Sequence, residues 1–201
     1  MTSLLHEQRL DAVCAAVRES GAESVLDLGC GDGDLLVRLA REVSIARLVG
    51  VDISAAALAA LRRRLAALAP REVDIELVHA SMTNADRRLA GFGCATLVEV
   101  IEHLPPADLS RLERALFHGL RPRHVILTTP NAEFNPLLGV PAHRFRHPDH
   151  RFEWPRARFR RWARRIAAGA RYEVAFRDVA GCHPDLGGAS QMAVFRAPDD
   201  R

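Results

Sequence analysis

The sequence predicts an α/β fold, a mostly parallel seven-stranded sheet covered by helices on both faces and closed by an antiparallel C-terminal pair. Three observations predict it. Short runs rich in Val, Ile and Leu alternate with stretches of helical period from Leu10 to Thr129. A glycine-rich turn, Gly29-Cys-Gly-Asp-Gly33, follows the first of those runs, as at a strand-to-helix junction of a parallel sheet. Near the C-terminus two extended segments follow a single helix, the pattern of a pair that folds back on itself.

The elements follow in order. Leu10, Val13, Cys14 and Val17 keep helical spacing, and Gly21 is a stop signal. Ser24–Leu28 reads as a buried strand, Leu35–Ala40 as a helix and Ala46–Val51 as a second strand. Ser54 caps an Ala/Leu/Arg-rich helix that runs to about Leu68. Strands are expected at Asp74–His79, Cys94–Val98 and His124–Thr129, with Leu109, Leu112 and Leu116 marking a helix after Pro105-Pro106. A helix from Arg156 to about Ala168 precedes the strands Tyr172–Val179 and Gln191–Arg196. The connection from Pro130 to Pro155 is long for such a fold, and loops of that length are commonly functional.

Composition narrows the class of protein. The 201 residues, 48% hydrophobic, suit one domain over 1–201 with a sizeable core. No apolar run approaches the roughly eighteen residues of a membrane span, and the N-terminus lacks the pattern of a signal peptide. Cys14, Cys30, Cys94 and Cys182 are scattered, which fits reduced thiols in a cytoplasm better than a disulfide framework. The chain has no Lys, which with its Ala richness reflects nucleotide bias. Its charge is unevenly placed. Residues 143–171 hold ten Arg against Asp149 and Glu153, a local +8 in a chain of net +3, so the remainder carries −5. A basic segment in an otherwise acidic chain points to an anionic partner, nucleic acid first.

Two clusters carry chemistry. In Leu26-Asp-Leu-Gly-Cys-Gly-Asp-Gly33, glycines allow close approach of a ligand and the helix start offers free N–H groups. The third glycine of a dinucleotide fingerprint would fall on Asp34, and an acidic turn repels a pyrophosphate but suits a cationic ligand. Asp52, ending the second strand, sits where a carboxylate takes both hydroxyls of a ribose. The Asp-x-Gly-x-Gly turn with its strand-end Asp resembles the S-adenosylmethionine site of Rossmann-like class I methyltransferases. That resemblance gives Asp27, Gly29 and Gly31 the methionine part, Asp52 the ribose, and Ile53, Ser81 and Met82 the flanks of the adenine.

The second cluster is Glu99-Val-Ile-Glu102-His103, at the carboxyl end of the fourth strand. Were the chain helical from Glu99, spacings of three and four would place all three groups on one face. They amount to three ligands of a metal site, with His143, His147 and His150 as candidates for a fourth. Two carboxylates and two imidazoles suit Mn²⁺ or a similar ion better than an all-oxygen Mg²⁺ site. A bound metal can lower the pKa of a ribose hydroxyl and fix its direction.

Together with Thr128-Thr-Pro-Asn131, Arg146-His-Pro-Asp-His-Arg-Phe-Glu-Trp154 and the ending Gln191-Met-Ala-Val-Phe195, this cluster resembles the small-RNA 3′-terminal 2′-O-methyltransferases of the HUA-enhancer type, in their bacterial RNA-repair branch. The resemblance implies metal ligation by Glu99, Glu102, His103 and His150, with His147 the rival for the last place. It implies Mn²⁺ as the preferred metal, with Mg²⁺ or Co²⁺ as alternatives. It also implies methyl transfer from S-adenosylmethionine to the 2′-OH of an RNA ending in a 2′,3′-diol, 3′-blocked RNAs being poor substrates. An RNA-repair kinase, phosphatase or ligase is the implied protein partner, and no membrane is involved. Asn84, Pro155 and Gly187-Gly-Ala-Ser190 depart from the family's pattern, which bears on substrate positioning. Bacterial relatives often carry a large N-terminal region, so the chain is either a separate or an excised catalytic domain. The reading from a different substrate class is a metal-independent small-molecule O-methyltransferase whose Glu/His cluster does acid–base work.

Four further features are weighed from sequence. Phe152 and Trp154 suit either base stacking or burial. Phe159, Trp162, Ala163 and Ile166 keep core spacing, and Arg158, Arg161, Arg164 and Arg165 on the other face lean toward phosphate. Asn131 and Glu133 either orient substrate or stabilise the turn after Pro130. His6, His79, His118, His124 and His183 have no partner identifiable from sequence.

Overall fold

The protein is described here from a computed structural model covering residues 3–68, 72–84 and 86–198. Helix α1 (Leu4–Ser20) is capped by the Ser3 hydroxyl and stopped by Gly21, whose left-handed conformation (φ 64°) lets its N–H reach Arg18 O. Strand β1 (Ser24–Leu28) leads through the glycine turn into α2 (Asp34–Leu39), followed by β2 (Arg47–Asp52) and α3 (Ala55–Ala66), whose N-cap is Ser54 as predicted. Then come β3 (Asp74–His79), β4 (Cys94–Val98), α4 (Leu109–Glu113), β5 (His124–Pro130), α5 (Arg156–Ala170), β6 (Glu173–Val179) and β7 (Ser190–Arg196).

The seven strands form one sheet in the order β3-β2-β1-β4-β5-β7-β6. All pairings are parallel except those of β7, which runs antiparallel to both β5 and β6. Because successive strand residues face opposite sides, each strand feeds two cores. Val25, Leu48, Cys94 and Ile126 join the helices α1 to α3, with Leu10, Val13, Leu36 and Leu61. Leu26, Val49, Ala95 and Val125 join α4 and α5 on the other face, with Leu112, Phe117, Phe159 and Ile166. The order reverses between β1 and β4, so the carboxyl ends of those strands open onto the crevice where such sheets bind ligands. No helix among the described residues is long and apolar enough to cross a membrane.

The structure differs from the sequence reading at three places. No helix begins at Glu99: that residue adopts φ +54°, and only a single 3₁₀ turn follows, at Ile101–His103. The Glu99 N–H bonds back to Thr128, so the chain must kink before it can wind, and the three groups are not one helical stripe. The helix at Leu109 widens after Glu113 into π-type winding over Arg114–Leu120. That winding buries Phe117 against Tyr172 and Phe195, contacts a local period does not reveal. The long connection after β5 is partly ordered as a 3₁₀ segment, Ala132–Leu138.

The Gly187-Gly-Ala-Ser190 turn is needed at full closeness. A Cβ on Gly188 would stand 2.3 Å from Val179 O and 2.5 Å from Val179 N, both backbone atoms that cannot yield cheaply. Gly188→Ala is therefore expected to lower the free energy of unfolding by about 2–3 kcal/mol, read from urea denaturation midpoints at constant m-value.

Candidate active site at the carboxyl edge of the sheet

The glycine turn is pinned to β2 by Val51 O, which accepts the N–H groups of Gly29 (2.8 Å) and Cys30 (3.1 Å). Gly29 has φ +76°, and a Cβ there would come within 2.7 Å of Val100 and 3.3 Å of the Met82 methyl. The turn is thus packed against both the β4 exit and the β3 exit. Sheet register places Thr96 opposite Asp27, and the Thr96 hydroxyl donates to Asp27 Oδ1 at 2.7 Å. Burial pushes the Asp27 carboxyl up to about 7; the Thr96 bond opposes this and the Asp52 charge adds to it. Asp52 bridges two segments, accepting the Gly31 N–H at Oδ2 (2.8 Å) and the Ser54 N–H at Oδ1 (2.7 Å). Ile53 beside it is 69% exposed, and the Ser81 hydroxyl lies 2.9 Å from that of Thr83. All seven residues of the predicted cofactor cluster therefore stand on the carboxyl side of β1, β2 and β3.

The Glu/His cluster is next along the same edge. Glu102 is fully buried, and its Oε2 accepts from the Thr129 hydroxyl at 2.9 Å. Burial, with the charge of Glu99 added, pushes its carboxyl well above the usual carboxylate range. Glu99 Oε2 lies 3.3 Å from Arg9 Nη1, a guanidinium sent across from α1. On each glutamate the other oxygen, Oε1, is buried without a hydrogen-bond partner among the described residues. Buried carboxylate oxygens of this kind are costly unless a cation or proton completes them.

Three histidines converge here. Ring nitrogens of His103, His147 and His150 lie within 4.8 Å of one another, and the His103 and His150 rings are 4.8 Å apart between centroids. Both His147 and His150 thus reach His103 and His143 does not; Glu99 and Glu102 fall outside that group, so among the described residues the structure does not bring the four predicted ligands together. His150 differs from His147 in its anchor: its Nδ1 lies 2.6 Å from the carboxylate of Glu153, while the largely exposed His147 accepts only the Asp149 backbone N–H at Nδ1, at 3.2 Å. A carboxylate on Nδ1 fixes the proton there and leaves Nε2 as the free lone pair. Glu153 also accepts from Asn135 Nδ2 (2.6 Å) and the Arg146 N–H (2.7 Å). Burial raises its carboxyl, but these three hydrogen bonds outweigh it and hold the group below the ordinary range. His103 is held below the usual histidine range by burial and by the neighbouring imidazoles of His150 and His147. At neutral pH it therefore offers a lone pair.

Sequence reasoning missed the residues that hold this site. Arg9, Thr129 and Glu153 each fix one functional side chain, and Arg146 braces the loop by donating to Asn135 Oδ1 (2.5 Å), Ala189 O (2.6 Å) and Asn131 O. An Asp-His-x-Phe-Glu spacing of three between His150 and Glu153 was the one available signal. The bland alternatives win for several residues. Phe152 and Trp154 are buried and stacked on each other at 4.4 Å, so they are core. Asn131 stabilises its turn, donating to Leu186 O and Gly188 O, and Glu133 pairs with Arg156. Arg165 pairs with Glu113 and is not a free cation, and Arg164 lies over the Phe176 ring. His6 contacts Asp34 at 3.0 Å and Arg9 at 3.1 Å, His79 reaches Ile53 O, and His183 accepts from Asp185 N–H.

The strand order, the glycine turn and the strand-end Asp52 define a class I methyltransferase fold, and residues 25–123 match the family model described as a methyltransferase domain. The chain belongs to the Hen1 methyltransferase family. It is 38% identical to the methyltransferase domain of bacterial CtHen1, with a TM-score of 0.86, the alignment covering 96% of this chain and 98% of that one. It is 40% identical to the small RNA 2′-O-methyltransferase of Rattus norvegicus over 203 residues, 96% of this chain and 51% of that protein. The chain thus spans about half the length of the curated relatives it matches. Its fold is also that of a chain in the Pnkp1/Rnl/Hen1 RNA repair complex (TM-score 0.68, 24% identity, covering 97% and 42%).

Asp27 gives a pH test of this geometry. A carboxyl raised to about 7 in the folded state binds more protons than the unfolded chain between its two pKa values. Ligand-free protein therefore loses stability as pH rises from about 4 through 7, and the loss levels off above that. Asp27→Asn removes this term, so the variant's stability relative to wild type should grow by about 2–3 kcal/mol between pH 5 and 8. Denaturation curves at several pH values check it, and a difference that stays constant with pH refutes it.

Proposed function

We propose that this chain, as one domain over 1–201, transfers a methyl group from S-adenosylmethionine to the 2′-OH of the 3′-terminal nucleotide of RNA, in RNA repair or 3′-end protection. The observation that carries the reading is the convergence of His103, His147 and His150 on the same sheet edge as Glu99 and Glu102, whose buried Oε1 atoms have no hydrogen-bond partner among the described residues. Family membership supports the substrate. A divalent metal fits that donor set. Glu99, Glu102, His103 and His150 would hold it, His150 being preferred to His147 because Glu153 orients it. When bound, it would supply Lewis acidity toward a ribose hydroxyl, with Mn²⁺ favoured by the mixed imidazole and carboxylate ligands.

The chain's own residues do the rest. Asp27, Gly29 and Gly31 would take the methionine part of the cofactor, the carboxylate of Asp27 facing its ammonium. Asp52 would exchange its two backbone N–H donors for the ribose hydroxyls, with Ile53, Ser81 and Met82 beside the adenine. Such a transfer would form the O–CH₃ bond as the S–CH₃ bond breaks, leaving a thioether, with the hydroxyl proton passing to solvent water. The lone pair that His103 keeps at neutral pH makes it competent as a ligand or proton acceptor. A repair kinase, phosphatase or ligase partner and a cytoplasmic setting complete the proposal. The four unpaired cysteines support the setting, and the likeness in fold to a chain of the repair complex supports the partner.

Labelled S-adenosylmethionine with short RNAs ending in a 2′,3′-diol, a 2′-deoxy or a 3′-phosphate terminus provides the test. Mn²⁺-dependent labelling of the diol alone is expected. Labelling that survives chelation, or transfer only to small hydroxylated compounds, would sink the metal-dependent RNA reading in favour of the small-molecule one. Independently of activity, Glu153→Gln is expected to weaken Mn²⁺ binding about 10–100-fold, measured by titration calorimetry, because His150 loses the partner that fixes its tautomer.

A further inference from the structure

A cavity of about 390 Å³ opens between α4 and α5, beside the candidate site. One end is formed by Pro106, three residues past His103, and by Trp154, four residues past His150, so both walls continue from segments that carry the histidine cluster. Its charge is unbalanced. The single lining carboxylate, Glu113, is already engaged by Arg165 (2.8 and 2.9 Å) and by the Trp162 indole N–H (2.8 Å). Arg158 and Arg161 are exposed and form no ion pair among the described residues, Arg158 lying 5.1 Å over the Trp154 ring. Trp154 itself is only 4% exposed, yet its indole N–H has no acceptor.

A buried donor without a partner, next to two uncompensated guanidiniums, is a site for a ligand that brings acceptor oxygens and negative charge. We propose that this groove holds the phosphodiester backbone of the RNA strand just 5′ of the nucleotide being methylated, with Arg158 and Arg161 on the phosphate and Trp154 Nε1–H completing its contacts. The proposal rests on RNA being the substrate. It gives two of the basic residues of segment 143–171 a defined task and leaves Arg164 and Arg165 to packing. Phosphate contacts set register and carry no sequence information, so the groove would favour any 3′-terminal strand.

Fluorescence anisotropy with a labelled single-stranded RNA, run across a salt series, tests it on the full chain. The double variant Arg158→Gln/Arg161→Gln is expected to bind about 10-fold more weakly, and its log–log salt slope should shrink by about 1.4, the value for two phosphate contacts on a single strand. Trp154→Phe removes the N–H together with the five-membered ring while keeping an aromatic face, so affinity should fall about 3-fold with the slope unchanged. The arginine variants, with exposed side chains, decide the matter if Trp154→Phe does not fold. Arg62→Gln on α3, across the sheet, is the control and should change neither quantity. Unchanged affinity and slope in the double variant, while wild type still methylates a 3′-diol, would remove the groove and leave the substrate reading intact. The same result is expected if the groove serves an acidic protein partner instead. Wild type that neither binds nor methylates RNA would remove both.

Discussion

A carboxylate taken wholly out of water at the end of β4 governs how the rest of this edge is built. Glu102 is fully buried, and only one of its oxygens is satisfied by the protein, through Thr129 on the neighbouring strand. Leaving such a group half-satisfied costs free energy unless a cation or proton completes it. A second carboxylate, Glu99, stands close enough to push the first further from ionisation. The surroundings answer that imbalance. Arg9 crosses from α1 to take one oxygen of Glu99, and three imidazoles gather along the same edge. Even the backbone is recruited, since Glu102 O accepts the Arg151 N–H at 2.7 Å and so docks the histidine-bearing loop directly on the buried glutamate.

That loop owes its order to polar contacts more than to apolar burial. Glu153 holds His150, Asn135 and the Arg146 N–H, and the Arg146 side chain ties the loop to the segments after β5 and before β7. Such a network is favourable only when nearly every member has a partner, and its members come from three separate stretches of chain. Beneath it, the stacked Phe152 and Trp154 supply the apolar floor. The same Trp154 forms a wall of the groove between α4 and α5, which makes the floor of one site the boundary of the next.

The cofactor edge and the Glu/His edge are mechanically joined. Gly29 packs on Val100, inside the kink that separates Glu99 from Glu102, and on Met82 after β3. Through His6, Asp34 at the start of α2 is linked to Arg9 and onward to Glu99, at 3.0, 3.1 and 3.3 Å along the chain of contacts. The two ends of the site are thus held in fixed relation by short, named interactions and not by the sheet alone.

The sequence by itself determined the order and type of the elements, because apolar period and glycine punctuation are local properties that survive without tertiary context. It therefore located the Ser54 cap, the Gly21 stop and all seven strands to within a residue or so, and it picked out the acidic, glycine and histidine motifs that the fold sets along one sheet edge. What it could not supply were relations between residues far apart in the chain. Arg9 and Glu99 are separated by ninety positions, and Thr129 and Glu102 by twenty-seven, so no spacing rule connects them. The kink at Glu99 was equally hidden, since a helical period through Glu99, Glu102 and His103 looks the same whether the chain winds at once or first turns through a left-handed residue. Only the fold decided that, because the Glu99 N–H is bound to Thr128 on the adjacent strand and cannot open a helix. Likewise the fold alone sorted the arginines of α5, leaving Arg158 and Arg161 free of ion pairs while Glu113, brought from α4, claims Arg165.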